Sequence, residues 1–247
     1  MKIFTSLSFA ALILGSSLLL TSCVTAGAHR SYEVTAKPAP FFITEAQFET
    51  LFPQRLPFYT YASLVEATKA YPAFGNTGDQ ATRKREVAAF LANVMHESHY
   101  LQAINEQDTS VHGHYCNDRE GVPCAPGKQY FGRGPIQLSW NFNYALAGQA
   151  LGLDLLGDPD MVSREPAVAW KTAIWYWMEI KGPGTVPAHD AIVNGLGFGE
   201  VVRSINGVLE CSKPIQNIAY QQQQLRIRHY LSITQMLDVT AAMHTPC

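Results

Sequence analysis

The sequence is short of charge: charged residues make up 15% of 247, and the formal net charge is −2. No strong field for nucleic acid is expected from such a balance. With 47% of residues hydrophobic, the chain also lacks the polar, charge-rich composition of a disordered protein. It has no internal repeat, and its length suits one domain, or one domain with small lobes. No run of alternating residues is long enough for a large sheet, so a mainly α fold is expected, with at most a small hairpin in 115–138. Cys-x-x-Cys pairs are missing too, which argues against a thiolate metal site.

The first residues read as a targeting segment. Lys2 precedes an apolar stretch from Phe9 to Leu20, too short to span a membrane comfortably. The stretch ends Leu20-Thr21-Ser22-Cys23, a pattern that resembles the bacterial lipobox, in which cleavage precedes a cysteine that is then lipidated. The competing reading is an ordinary signal peptide cut near Ala26. Residues 1–22 are thus expected to be removed and Cys23 to carry the lipid, with a tether over 23–40 before a folded domain over 41–247. Val24 rather than Asp after Cys23 points to the outer membrane, so a protein held in the cell envelope by its lipid anchor is expected.

Beyond the tether the pattern is helical. Thr44-Glu45-Ala46-Gln47 is a capping box opening a short helix to Leu51, and Thr60 can cap a second one toward Tyr71. From Arg83 to Glu97, Val87, Phe90, Leu91, Val94 and Met95 recur at helical spacing. Residues 98–134 show no period and are rich in glycine, polar residues and histidine, the mark of a long functional loop. Further helices are expected at 140–151, ended by Gly152, at 166–180 with Ser163 and Pro166 at its start, at 189–194 and 199–206, and at 217–238. Aromatics, 11% of the chain, suit a core first and sugar stacking second.

Five cysteines are present. Lipidation of Cys23 would leave Cys116, Cys124, Cys211 and Cys247, which allow three pairings. The simplest joins 116 to 124 and 211 to 247, and oxidation is expected outside the cytoplasm.

Glu97 continues the apolar stripe of its helix. A carboxyl there is partly desolvated, which favours its neutral, proton-carrying form. The competing reading is a buried Glu paired with an Arg. His96-Glu97-Ser98-His99 invites a zinc-protease reading, but position 100 is Tyr100, and the second histidine falls one residue short of the required spacing. His112 and His114 could add ligands only from the loop. Glu120 follows Glu97 by 23 residues, inside the loop bounded by Cys116 and Cys124. Hydrolysis of a glycosidic bond by inversion needs such a pair: an acid for the leaving oxygen, and a base with room for a water. By itself Glu120 is equally a solvated surface charge.

The order of several motifs resembles the catalytic domain of family 19 chitinases. They are Phe58-Tyr59-Thr60-Tyr61, Ala73-Phe74-Gly75-Asn76-Thr77-Gly78-Asp79, Met95-His96-Glu97, Tyr130-Phe131-Gly132-Arg133-Gly134-Pro135-Ile136-Gln137-Leu138-Ser139-Trp140-Asn141, Ala173-Ile174-Trp175-Tyr176-Trp177 and Ile205-Asn206-Gly207-Val208-Leu209-Glu210-Cys211. The resemblance covers about residues 57 to 247. It implies a lysozyme-like, two-lobed, mainly α domain with a small β-hairpin and a central cleft. It also implies single-displacement hydrolysis without a cofactor or metal. Glu97 falls on the family's general acid, Glu120 on its base, and Ser139 on its water-positioning serine. Gln137, Asn143, Asn206, His96 and Tyr130 fall on substrate-binding positions. Glu210 matches a carboxylate that pairs with an Arg, for which Arg226 is the match. Ser139 could instead be a helix N-cap.

The departures are Ser98-His99-Tyr100-Leu101, where the family usually has Thr-Thr-Gly-Gly after His-Glu, Phe142 in place of Tyr, and a short loop from Glu120 to Cys124. The trimmed loop implies a shorter or more open cleft. The expected substrate is a β-1,4-N-acetylglucosamine chain, as chitin or chitooligosaccharide, with peptidoglycan as the alternative polymer and a non-catalytic glycan-binding lipoprotein as the third reading. A monomer is expected.

Overall fold

The computed structural model describes residues 43–118, 121–242 and 247. The targeting segment, Cys23, the tether and Glu120 lie outside these residues.

The chain enters through two capped helices. In α1 (Glu45–Leu51), Thr44 Oγ1 accepts from Gln47 N at 3.2 Å, and the Gln47 side chain returns to Thr44 N at 2.9 Å. In α2 (Tyr61–Thr68), Thr60 and Ser63 do the same at 3.1 and 3.3 Å. Helix α3 (Gln80–Glu97) starts three residues before the expected Arg83, because Asp79 caps it by accepting from Thr82 N at 2.7 Å. Residues Glu86 to Met95 are all buried, so α3 runs through the middle of the fold rather than over it. It packs chiefly against α9 (Ile218–Met236), and also meets α7 (Ala188–Val193) and α8 (Phe198–Glu210), while α2 lies on α6 (Pro166–Glu179).

Helix α4 (Asn141–Leu151) ends at Gly152, whose left-handed backbone closes it as expected. Pro166 opens α6. Ser163, expected at the start of that helix, lies in a separate short helix, α5 (Met161–Arg164), and its Oγ bonds Asn105 Oδ1 at 2.6 Å. Helix α8 runs past the expected end at 206 to Glu210, but kinks at Asn206, where φ is −146° and ψ 31°. The expected hairpin is reduced, among the described residues, to isolated bridges: Asn105 with Arg133, and Arg133 with Leu138. The Arg133–Leu138 pair exchanges hydrogen bonds of 3.1 and 2.9 Å around a tight turn, and Pro135 within that turn leaves no room for a longer ladder.

Two apolar clusters define two lobes. The larger gathers α1, α2, α3 and α6 to α9 around Phe90, whose ring meets Phe74 at 4.9 Å and Trp177 at 5.5 Å. The smaller contains Tyr130, Leu138, Tyr144, Leu155 and Trp175. Most aromatics are thus core, each ring pair contributing about 0.5–1.5 kcal/mol beyond its burial. Disulfides join Cys116 to Cys124 and Cys211 to Cys247, the pairing expected from sequence.

Candidate active site

Glu97 is the last residue of α3, and the chain stops the helix sharply behind it. Ser98 Oγ donates to Val94 O at 2.6 Å and accepts from Leu101 N at 2.9 Å. His99, Tyr100 and Leu101 follow with φ of 49°, 59° and 61°. Three successive side-chain-bearing residues in the left-handed region are costly, roughly 1–2 kcal/mol each. Burial of Leu101 and the bond from Tyr100 N to Met95 O, 2.8 Å, hold the turn. It lies where the family usually has glycines, and it turns the chain aside so that Glu97 opens on a cleft of about 610 Å³.

Behind Glu97 stands Arg226, which is 1% exposed. Its Nη2 donates to Glu97 Oε1 and, at 2.6 Å, to Glu210 Oε1. Nε reaches Glu210 Oε2 at 2.8 Å, and Nη1 reaches Asn93 Oδ1 at 3.0 Å. Burial works against the charge on Arg226, but Glu97 and Glu210 together hold its pKa above the ordinary value. Asn206, at the kink of α8, donates to Glu210 Oε1 at 2.8 Å. Both readings of Glu97 therefore meet in one residue: it is paired with an Arg, and it lines the cleft.

The loop opposite supplies Gln137 and Ser139, and the first turn of α4 supplies Asn143. Gln137 has φ of 52° and donates to Gly134 O at 3.0 Å. A Cβ on Gly132 would come within 2.9 Å of the Gln137 side-chain oxygen, so a larger residue there would have to displace the Gln137 side chain. Ser139 Oγ donates to Gln137 O at 2.9 Å, and Asn143 Nδ2 to Ser139 O at 2.9 Å. The N-cap position of α4 is taken by Trp140, not Ser139, and carries no side-chain cap. His96 lines the same cleft. Its pKa is pushed down to about 2, first by burial and then by Arg226, His229 and His99, so its ring is neutral, and Nδ1 makes no hydrogen bond to protein. Tyr130 is not brought to the cleft. It is 1% exposed, and its hydroxyl donates to Leu156 O at 2.9 Å inside the smaller lobe.

Several cleft residues escaped the sequence reading, and the one with a carboxylate is Glu106. Glu106 lies on the cleft wall, and its Oε2 accepts from the Tyr115 hydroxyl at 2.9 Å. The only signal for it was its place in the aperiodic loop. The described histidines do not gather as a metal site. Among the described residues the one group of potential ligands is Cys116, Asp118 and Cys124, and its two sulfurs are bonded to each other. A larger concavity, about 860 Å³, lies between α4 and α6, away from Glu97, and contains none of the expected catalytic residues.

A helical fold whose lobes frame a cleft with carboxyl groups from a helix end and a loop has the equipment of a glycoside hydrolase. Residues 49–247 match glycoside hydrolase family 19, described as Chitinase class I, and the chain belongs to that family. It is 42% identical over 181 residues to Endochitinase 2 of Gossypium hirsutum, covering 63% of this chain and 60% of that one. The chain thus spans less than two thirds of that relative's length. Among solved structures it is similar to chitinase C from Streptomyces griseus HUT6037, at 50% identity and a TM-score of 0.78, covering 85% of this chain and 81% of that one. A bacterial family 19 chitinase shares 51% identity and a TM-score of 0.78 over 84% of this chain and 100% of that one.

Proposed function

We propose that the protein is a chitinase: it hydrolyses β-1,4-N-acetylglucosamine linkages within chitin or chitooligosaccharides, with inversion at the anomeric carbon. The observation that carries this reading is the placement of Glu97 at the mouth of a cleft whose described wall holds a second carboxylate, Glu106. Glu97 protonates the leaving oxygen, and Arg226 is positioned to stabilise the carboxylate left behind. A base carboxylate takes a proton from the attacking water, with Ser139 beside it.

Two residues compete for the base. Glu120 matches the family motif but lies outside the described residues. Glu106 lines the cleft and is fixed there by Tyr115, and on that ground we assign the base to Glu106. Inverting enzymes hold their two carboxyls roughly 6.5–9.5 Å apart to admit the water.

Charge favours chitin over peptidoglycan. Among the described ionisable residues lining the cleft, Glu97, Glu106 and Glu210 face a single guanidinium, Arg226, and the buried ring of His96 is held uncharged. An excess of carboxylates suits a neutral chain better than one bearing lactyl and peptide carboxylates. Export and lipidation at Cys23 belong to the same proposal and rest on the sequence pattern.

Purified protein assayed on chitin oligosaccharides and on purified peptidoglycan tests the substrate. Glu97→Gln, Glu106→Gln and Glu120→Gln test the roles. Loss of about 10²–10⁴-fold is expected for the first two, with turnover retained in the third. The reverse result for the last two would return the base to Glu120.

A further inference from the structure

Glu106 belongs to no helix or strand, yet its amide, its carbonyl and its carboxylate are all held. The amide donates to Gly132 O at 2.7 Å. The carbonyl lies 3.0 Å from His112 Nε2, and the carboxylate takes the Tyr115 hydroxyl. His112 and Tyr115 come from one short stretch, the 3₁₀ turn Thr109–His114 and the residue after it.

Each of these two side chains has its own support. Tyr115 packs edge-on against Trp140, with ring centres 5.4 Å apart, and its carbonyl accepts from Asn141 N at 3.2 Å. Beyond it, Cys116 is tied to Cys124, and the buried Asn141 side chain accepts from Asn117 N at 2.8 Å. His112 lies flat on Phe131 at 3.7 Å, and the Arg133 guanidinium sits 3.6 Å from the same ring centre. Two groups that close to one centroid must occupy opposite faces. Arg133 is in turn fixed by the Tyr144 hydroxyl at 2.9 Å and by Asp160 at 2.7 Å.

We propose that Tyr115 and His112 are positioning residues that fix the Glu106 carboxylate where it can take a proton from the attacking water. The proposal rests on the assignment of Glu106 as base. A loop carboxylate has several free torsions, and small displacements of a catalytic group are expensive in rate. Tyr115 restrains the carboxylate directly, while His112 restrains the backbone that carries it. The two act from different anchors, so neither is redundant.

The test is Tyr115→Phe and His112→Phe, each alone and each combined with Glu106→Gln, with kcat and KM measured on a chitin oligosaccharide and folding checked by thermal melting. Phenylalanine keeps the Tyr115 ring on Trp140 and the stack on Phe131. Tyr115→Phe is expected to lower kcat by roughly 10–100-fold, the worth of one hydrogen bond to a charged group. His112→Phe is expected to lower it several-fold. KM should stay within about twofold for both, and neither change should add to the loss in Glu106→Gln, because residues acting through one group are not additive. A loss of equal size with and without Glu106, or a loss confined to KM, would overturn the positioning role and leave the base assignment standing. Wild-type turnover in Glu106→Gln would overturn the base assignment, and this proposal with it.

Discussion

Replacing Arg226 with methionine perturbs the fold at its most charged buried point. The guanidinium bonds Glu97, both oxygens of Glu210, and Asn93, and it is almost entirely out of solvent. Methionine fills much of the volume but leaves Glu210, 3% exposed, as an uncompensated buried carboxylate. Removing one partner of a buried pair costs about 3–5 kcal/mol, mostly as the penalty on the charge left behind. For a domain of this size each kcal/mol corresponds to about 2–4 °C, so Tm should fall by roughly 6–20 °C. The reasoning also predicts a rescue. Adding Glu210→Gln removes the stranded charge and should recover most of the loss, since an apolar or neutral replacement of a whole buried pair is close to neutral. Urea unfolding followed by circular dichroism, with the disulfides intact, measures both. Arg226→Met within about 1 kcal/mol of wild type would refute the argument. So would a double variant no more stable than the single one.

Three further outcomes follow from other parts of the molecule. His189 Nδ1 lies 2.6 Å from the fully buried Glu86; burial alone would push the His189 pKa down, but the bond to Glu86 and its charge raise it. Its contribution to stability is therefore fully present below the unfolded value, about 6.5, and lost as pH rises through the higher folded value. Unfolding free energy should decline between those two values, and His189→Asn should flatten the decline; an unchanged slope would contradict it. The Cys116–Cys124 bridge, eight residues apart in sequence, should contribute about 2–3 kcal/mol by loop closure, and non-reducing peptide mapping should find it together with Cys211–Cys247, whereas free thiols at all four positions would reject both. Cys23→Ser should release the protein from the membrane fraction or block its processing, because stable anchoring needs more than one acyl chain; normal maturation with continued membrane binding would refute lipidation.

Helix identities were legible because their signals are local. Thr44 with Gln47 and Thr60 before its helix are caps read within a few residues, and Val87 to Met95 carry their period on the face of the sequence, whereas the Asp79 cap that starts α3 early was not read. The extension of α8 to Glu210 was not, since Asn206 and Gly207 read as a stop while tertiary packing carries the chain through a kink. Arg226 could be matched to Glu210 only by resemblance, and its reach to Glu97 depends on the packing of α9 on α3, two elements far apart in sequence. Tyr130 shows the opposite failure: its motif pointed to substrate, but its hydroxyl is spent on Leu156 and Ala125 within the lobe. Glu106 was missed because nothing periodic surrounds it, and what places it is a set of contacts from Gly132, His112 and Tyr115.

The central claim is that Glu97 and a loop carboxylate act in one displacement, with water arriving on the face opposite the leaving oxygen. Proton NMR of the anomeric signals during hydrolysis of a chitin oligosaccharide, recorded before mutarotation, tests it most directly. The account predicts that the α-anomer forms first from the β-linked substrate. An initial β-anomer would mean that one carboxyl attacks as a nucleophile, which needs the two only about 5–5.5 Å apart, and would contradict the assignment of a base.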